Sequence, residues 1–414
     1  MTWFENKFIK VRNGKLYLGG KEAKNLAEEN GTPLFIYSRE QILSNFRFLK
    51  RVFSHRFHLE VRICYAMKAN SNPEILKLLE KEGAWIDAVS PNEIKRASQA
   101  GFPSERIIFT GTSLSAEDIK RAFRFKNMIF NIDAEEQLES MKELKDSLFP
   151  KKEFRVSVRW NPGIGTGFDH KAITAGKVST DGTPIKFGIE EKKVTSVFYK
   201  AAKYGFLPIA LHQHLGSGWV KKDLELVKRA VEKMVKKAIE LEKAGIQLEF
   251  LDFGGGFSLP YSEKQEPFPV EEYADFIRKT VSQSGLKIKA IALEPGKYIV
   301  GNAGVLLLRV EYVKKSYGNI FACVNSGTLN AIPRTVIYPQ AEHPILNCAQ
   351  IESDSLEPVT VAGNLCETGD VFAKGVLMPV PRKGDILAIL YAGAYCRSMA
   401  SNYNSRDIPP EVIL

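Results

Sequence analysis

No stretch of this 414-residue chain approaches the roughly 18 consecutive apolar residues of a membrane-spanning helix. The best run, Ile299 to Leu308, is broken by Gly301, Asn302 and Gly304, so no membrane span is expected. The opening residues Met1-Thr2-Trp3-Phe4-Glu5-Asn6-Lys7 lack the apolar core of a secretory signal, which predicts a cytoplasmic protein. Cysteine is scarce. Cys64, Cys323, Cys348, Cys366 and Cys396 are scattered, odd in number and without a CxxC pair, which supports neither a disulfide framework nor a structural zinc site. The six histidines contain no HExxH. Repeats and low-complexity segments are also missing. The net charge of +10 comes from basic residues spread along amphipathic stretches such as Lys221 to Lys243. With no zinc-finger, helix-turn-helix or RNA-binding signature, it reads as a surface that draws anionic small molecules and not as a nucleic-acid site.

What is present is an alternation. Short apolar runs at Val61–Met67, Trp85–Val89, Arg106–Thr110, Met128–Ile132, Arg155–Trp160, Ile209–His214, Glu249–Phe253 and Ala290–Leu293 are separated by stretches with helical apolar spacing. Parallel strands need crossover helices, and eight such strands close a barrel, so we read a (β/α)8 barrel over 35–294. An open doubly wound sheet is the alternative architecture. After Pro295 the rhythm changes to β-type runs between Gly, Pro and Asn turns, which predicts an all-β domain over 295–414. Residues 1–34, with a strand–turn–strand pattern around Asn13-Gly14, are expected to join that β domain. The unassigned stretch Pro162 to Gly188 is long enough to be functional or mobile.

In a parallel barrel the reactive face lies at the strand C-termini. The first run ends in Lys68, whose amine gains Schiff-base reactivity when desolvated at a barrel mouth, although a lysine there is often only a solvated cap. The sixth ends in His212-Gln213-His214, whose alternate rings suit either a metal pair or one packed and one stacking histidine. No third ligand stands at an obvious spacing, so no metal is expected. The seventh ends in Gly254-Gly255-Gly256, where backbone N–H groups can approach a phosphate, or where the chain merely turns tightly. The eighth ends in Glu294, a carboxylate that needs a partner if buried. Together these are the requirements of pyridoxal 5'-phosphate: a lysine, a flat ring to stack, a phosphate cradle, and an acid facing the pyridine nitrogen.

Six motifs carry a resemblance that spans nearly the whole chain: YAMKAN at 65–70, HLGSG at 214–218, GGGF at 254–257, EPG at 294–296, CETGDVFAKG at 366–375 and GAYCRSMASNYNSR at 393–406. The chain resembles the diaminopimelate decarboxylases, within the barrel-type, alanine-racemase-like pyridoxal-phosphate decarboxylases. The resemblance implies that Lys68 holds the cofactor and that His214 stacks on its ring. It places Ser217, Gly254, Gly255 and Gly256 at the phosphate with Tyr395 nearby, and Glu294 and Gly296 in the cofactor site. Arg334 and Tyr338 match the family's substrate-binding pair. Cys366 and Glu367 match a pair that completes the neighbouring subunit's site, Cys366 as proton donor and Glu367 as ligand of the distal ammonium. A homodimer is thereby implied.

Two departures fall on substrate recognition. The family's EPGR arginine, which grips a substrate carboxylate, is Lys297 here, a point charge that cannot form a two-point fork. The segment leading to Arg334 is also one residue longer than the family's spacing. The implied reaction is decarboxylation of an amino acid, meso-diaminopimelate giving L-lysine in lysine biosynthesis. The alternatives are a sibling decarboxylase of polyamine or siderophore synthesis, or a cofactor-binding regulator without catalysis. Retention of Lys68, Cys366 and Glu367 together argues against the regulator.

Overall fold

A computed structural model describes residues 2–55 and 58–414, so Met1 of the expected 1–34 segment lies outside it. The chain divides into a barrel unit, 46–258 with 266–296, and a β-rich unit, 1–45 with 259–265 and 297–414.

All eight apolar runs of the barrel are strands: β1 Glu60–Ala66, β2 Trp85–Ala88, β3 Ile107–Phe109, β4 Ile129–Ile132, β5 Arg155–Asn161, β6 Leu207–His212, β7 Phe250–Asp252 and β8 Ala290–Leu293. Every neighbour is parallel, and β8 pairs with β1 through Ala290↔Glu60 to Leu293↔Ile63, which closes the barrel and removes the open-sheet alternative. Helices α1 Pro73–Lys81, α2 Pro91–Gln99, α3 Ala116–Ala122, α4 Glu135–Leu148, α5 Val194–Lys203, α6 Leu224–Lys243 and α7 Val270–Ser284 follow the first seven strands. Their starts are written locally. Asn72 and Ser90 cap α1 and α2, each with proline in the first turn, and Ser115 with Asp118 forms a capping box on α3. The barrel's interior is filled by Cys64, Ile108, Ile129, Ile209, Phe250 and the alanines of β8. Arg62 lies over the rings of Trp85 and Phe250 at 4.5 and 4.8 Å.

The 162–188 loop is laced onto the segment that follows β6. Thr166 and Phe168 donate backbone N–H groups to Leu215 and Ser217, and Ser217 donates to Ala172. Asn161 anchors the loop by giving and receiving hydrogen bonds with Gly176, 2.8 Å each.

In the β-rich unit the long strand Gly304–Ser316 pairs with Asn319–Val324 and Ile386–Ile389, and Glu357–Ala362 pairs with Val371–Met378. The expected hairpin forms at Ile9–Arg12 and Lys15–Leu18, with Asn13 and Gly14 at φ +50° and +71°. The boundary expected after residue 34 is displaced. Leu34–Tyr37, buried along its length, looks like a barrel strand in sequence but pairs with Gly304–Leu307 and Glu411–Ile413 in the β-rich unit. Continuous apolar character records burial on both faces and says nothing of which sheet supplies the partner.

Candidate active site

Lys68 sits in the single turn Met67–Ala69 that ends β1, its side chain one-third exposed, with Nζ 2.8 Å from Asp87 Oδ2 at the end of β2. Asp87 is fully buried. Burial and the charge of Glu294 push its carboxyl up, against the pull of Lys68. Asp87 was not singled out from sequence, although a carboxylate inside an apolar strand was the available signal.

His212 and His214 have different tasks. His212, completely buried at the end of β6, places Nε2 3.2 Å from Glu294 Oε2. His214 accepts the Gly255 N–H at Nδ1, 3.2 Å, so its remaining proton is on Nε2. Burial, with Lys68 and Arg159 nearby, holds its pKa well below the ordinary histidine value, leaving a neutral ring. Glu294 behaves oppositely. Burial raises its carboxyl, but His212, and beyond it Lys68, outweigh that and hold it down at about 2. Asp252 is pushed well above the carboxylate range by burial and by Glu294.

Barrel closure brings His212, without His214, together with Asp252 and Glu294, each with a donor atom within 4.8 Å of the others. Strand separation in sequence hid this convergence. Because Asp252 is driven toward its protonated form, the trio reads as one ionised acid supported by a neutral acid and an imidazole.

The glycines form a tight cradle. A Cβ on Gly254, which has φ +69°, meets Gln213 O at 2.4 Å, and one on Gly256 meets Gly216 O at the same distance. Gly256 O accepts the N–H groups of Gly218 and Trp219 at 2.7 and 2.9 Å, which fixes Ser217 beside it. Two of the three N–H groups read as phosphate ligands are used internally: Gly254 donates to Asp252 and Gly255 to His214. A Cβ on Gly296 meets Ala66 O at 2.9 Å, so that glycine lets the EPG turn approach the YAMKAN segment.

In the β-rich unit, Lys297 and Arg334 are 6% and 3% exposed and share one aromatic surface. Lys297 Nζ is 5.9 Å from the ring centres of both Tyr261 and Tyr395, and the Arg334 guanidinium is 5.0 Å from that of Tyr261. Tyr338 ends the short helix Arg334–Ile337, its N–H donating to Arg334 O. Cys366 and Glu367 form a separate, exposed group. Asn404 Nδ2 donates to Cys366 Sγ at 3.2 Å, and the Tyr403 hydroxyl donates to Glu367 Oε1. Glu367, and after it Cys366, push the Tyr403 hydroxyl up to about 12. Tyr261 and His343 have no strand-end or spacing signal in the sequence, whereas Tyr403 lies inside the motif at 393–406.

Pyridoxal phosphate fits the barrel residues. Glu294 Oε1 is buried with no hydrogen-bonding partner among the described residues, as an acid facing a ring N–H requires, and the glycine cradle admits no side chain. Strand-end lysine, neutral histidine, ionised acid and glycine cradle define a barrel-type pyridoxal-phosphate enzyme. A family model described as "Pyridoxal-dependent decarboxylase, pyridoxal binding domain" matches residues 39–301. The diaminopimelate decarboxylase of Methanothermobacter thermautotrophicus is 39% identical, over 97% of this chain and 91% of that protein. The crystal structure of the Helicobacter pylori diaminopimelate decarboxylase complexed with L-lysine matches with a TM-score of 0.85 at 34% identity, over 94% of this chain and 93% of that one. The Methanocaldococcus jannaschii enzyme in co-complex with L-lysine has a TM-score of 0.89 at 29% identity, over 99% and 93% of the two chains. The chain belongs to the diaminopimelate decarboxylase family of pyridoxal-phosphate-dependent decarboxylases. Its cofactor is pyridoxal 5'-phosphate. Among the described residues no helix is long and apolar enough to cross a membrane.

Proposed function

We propose that the chain removes one carboxylate of meso-diaminopimelate as carbon dioxide and releases L-lysine, in the cytoplasm and as a homodimer. The observation that carries the substrate reading is the buried pair Lys297 and Arg334 around Tyr261, two cations suited to the carboxylate the product retains. Measuring carbon dioxide release from meso-diaminopimelate, ornithine, arginine and carboxynorspermidine tests it. Release from another amine alone gives the reaction to a sibling decarboxylase, and no release from any leaves a regulator.

Bound pyridoxal phosphate supplies an electron sink for the carbanion left by carbon dioxide. Lys68 is its attachment point, and Asp87 holds the amine in place. Glu294, ionised, keeps the ring nitrogen protonated, with His212 steadying the charge. The neutral His214 ring offers a flat face. Ser217 and Gly256 would take the phosphate, while Gly254 and Gly255 shape the cradle, and Gly296 lets the EPG turn approach Ala66. Lys297, Arg334 and Tyr338 hold the retained carboxylate. Cys366 Sγ–H delivers the proton to the decarboxylated carbon, and Glu367 binds the distal ammonium. The exposure of Cys366 and Glu367 on a single chain supports their completing a second copy's site.

Two outcomes follow directly. Among the described residues Cys366 is the exposed cysteine and the other four are buried. Brief iodoacetamide treatment of the holoenzyme should therefore modify Cys366 first and abolish turnover, with L-lysine slowing the modification. Full labelling of Cys366 with activity intact refutes the proton-donor role.

The second concerns Lys297, whose amine is held well below the ordinary lysine value, by burial first and then by Arg334. The cationic form that grips a carboxylate is lost as pH rises through that lowered pKa, so KM should climb as pH passes upward through it. Lys297→Arg keeps its charge and adds a charge-assisted hydrogen bond worth about 1.5–3 kcal/mol. KM for meso-diaminopimelate should fall by roughly one to two decades and lose that rise with pH, with kcat little changed. A variant that stops turning over meso-diaminopimelate, or loses a stronger activity on another amine, assigns Lys297 to a different ligand.

A further inference from the structure

We propose that His343 is a positioning residue for recognition of the retained carboxylate, acting through Arg334. The inference rests on the role given above to Arg334 and Lys297 and extends it to a residue that needs no contact with the substrate.

The geometry specifies what the imidazole does. Its Nδ1 lies 2.9 Å from Leu390 O, and a carbonyl can only accept, so Nδ1 carries the proton. The opposite nitrogen, Nε2, is 2.8 Å from Arg334 Nη1. A guanidinium can only donate, so Nε2 must present a lone pair and the ring must be neutral. Burial, reinforced by the charges of Arg334 and Lys297, keeps it so by lowering its pKa. One main-chain carbonyl thus fixes the tautomer, and the tautomer fixes one edge of the guanidinium.

Tyr261 completes the clamp. The Arg334 guanidinium lies over its ring at 5.0 Å, and the His343 ring meets the same tyrosine edge-on, at 5.4 Å and 86°. Guanidinium face and guanidinium edge are held by different residues, which defines both the position and the plane of the fork. Recognition of a planar carboxylate depends on that plane. Arg334 itself opens a helix of only four residues.

L-lysine and cadaverine differ by one carboxylate, and their binding to the holoenzyme, followed by calorimetry, separates positioning from packing. His343→Phe keeps a ring edge against Tyr261 and removes the acceptor. Its affinity for L-lysine should fall about ten- to a hundredfold, the cost of a hydrogen bond to a charged group, with cadaverine binding unchanged. In turnover the same variant should raise KM for meso-diaminopimelate and leave kcat nearly untouched. His343→Gln offers an amide oxygen where Nε2 stood and should restore most of the lost affinity. Equal weakening of both ligands in His343→Phe, or a glutamine variant as impaired as the phenylalanine one, overturns the proposal and makes His343 a packing residue. If the unmodified enzyme binds L-lysine no better than cadaverine, the carboxylate role of Arg334 and Lys297 falls first, and this inference falls with it.

Discussion

Lys68→Ala should leave the enzyme nearly inactive, because it removes the proposed attachment point of the cofactor. The amine stands at the end of β1, 2.8 Å from Asp87. Borohydride reduction of the native holoenzyme, followed by peptide mapping, should leave the pyridoxyl group on the peptide containing Lys68. A label on another lysine ends the assignment. The variant also probes assembly. Glu367→Ala should be nearly inactive too, because in the proposed dimer the exposed Glu367 serves the other copy. When the two inactive variants are dissociated and reassembled together, mixed dimers carry one intact site of two. Equal mixing should recover about a quarter of the unmodified activity. A verified mixed dimer with no activity places Glu367 in its own chain's site or outside the chemistry.

Glu294→Gln should cost about 10²- to 10³-fold in kcat, the usual loss when one preorganised charged partner of a reacting system is removed. Glutamine matches the shape of glutamate and cannot hold a proton on a ring nitrogen by charge. Cofactor content should change little, because phosphate and lysine contacts are untouched, and the bound cofactor's absorbance should shift. The pH profile adds a check of sign. In its proposed role Glu294 works as the carboxylate, and its pKa is held at about 2, so activity lost on mild acidification should come from other groups. A glutamine variant with undiminished kcat, or a glutamate-dependent limb near pH 5, removes Glu294 from the role.

The strand ends were readable because a parallel barrel turns a linear fact into a spatial one. Lys68, His214, Gly254 to Gly256 and Glu294 each follow an apolar run, and closure brings the C-terminal ends of those runs to one face. Asp87 is legible only as a carboxylate inside an apolar run, a weaker signal than a residue that follows one. Tyr261 was hidden in a segment between β7 and α7 that belongs to the β-rich unit. His343 lies nine residues past Arg334, at a spacing that signals neither helix nor strand contact.

By itself the sequence determined the strand–helix alternation, the β-rich companion and the cofactor chemistry, since periodicity and strand-end residues are local and survive without coordinates; closure into a barrel rested on the pairing of β8 with β1. Only the tertiary structure decided which groups are charged and which way they point. Asp252 and Glu294 are both acids at strand ends, yet burial beside one another, with His212 on Glu294, drives the first toward its neutral form and keeps the second ionised. The state of an acid is set by its neighbours' charges and by loss of water, and those neighbours come from distant strands.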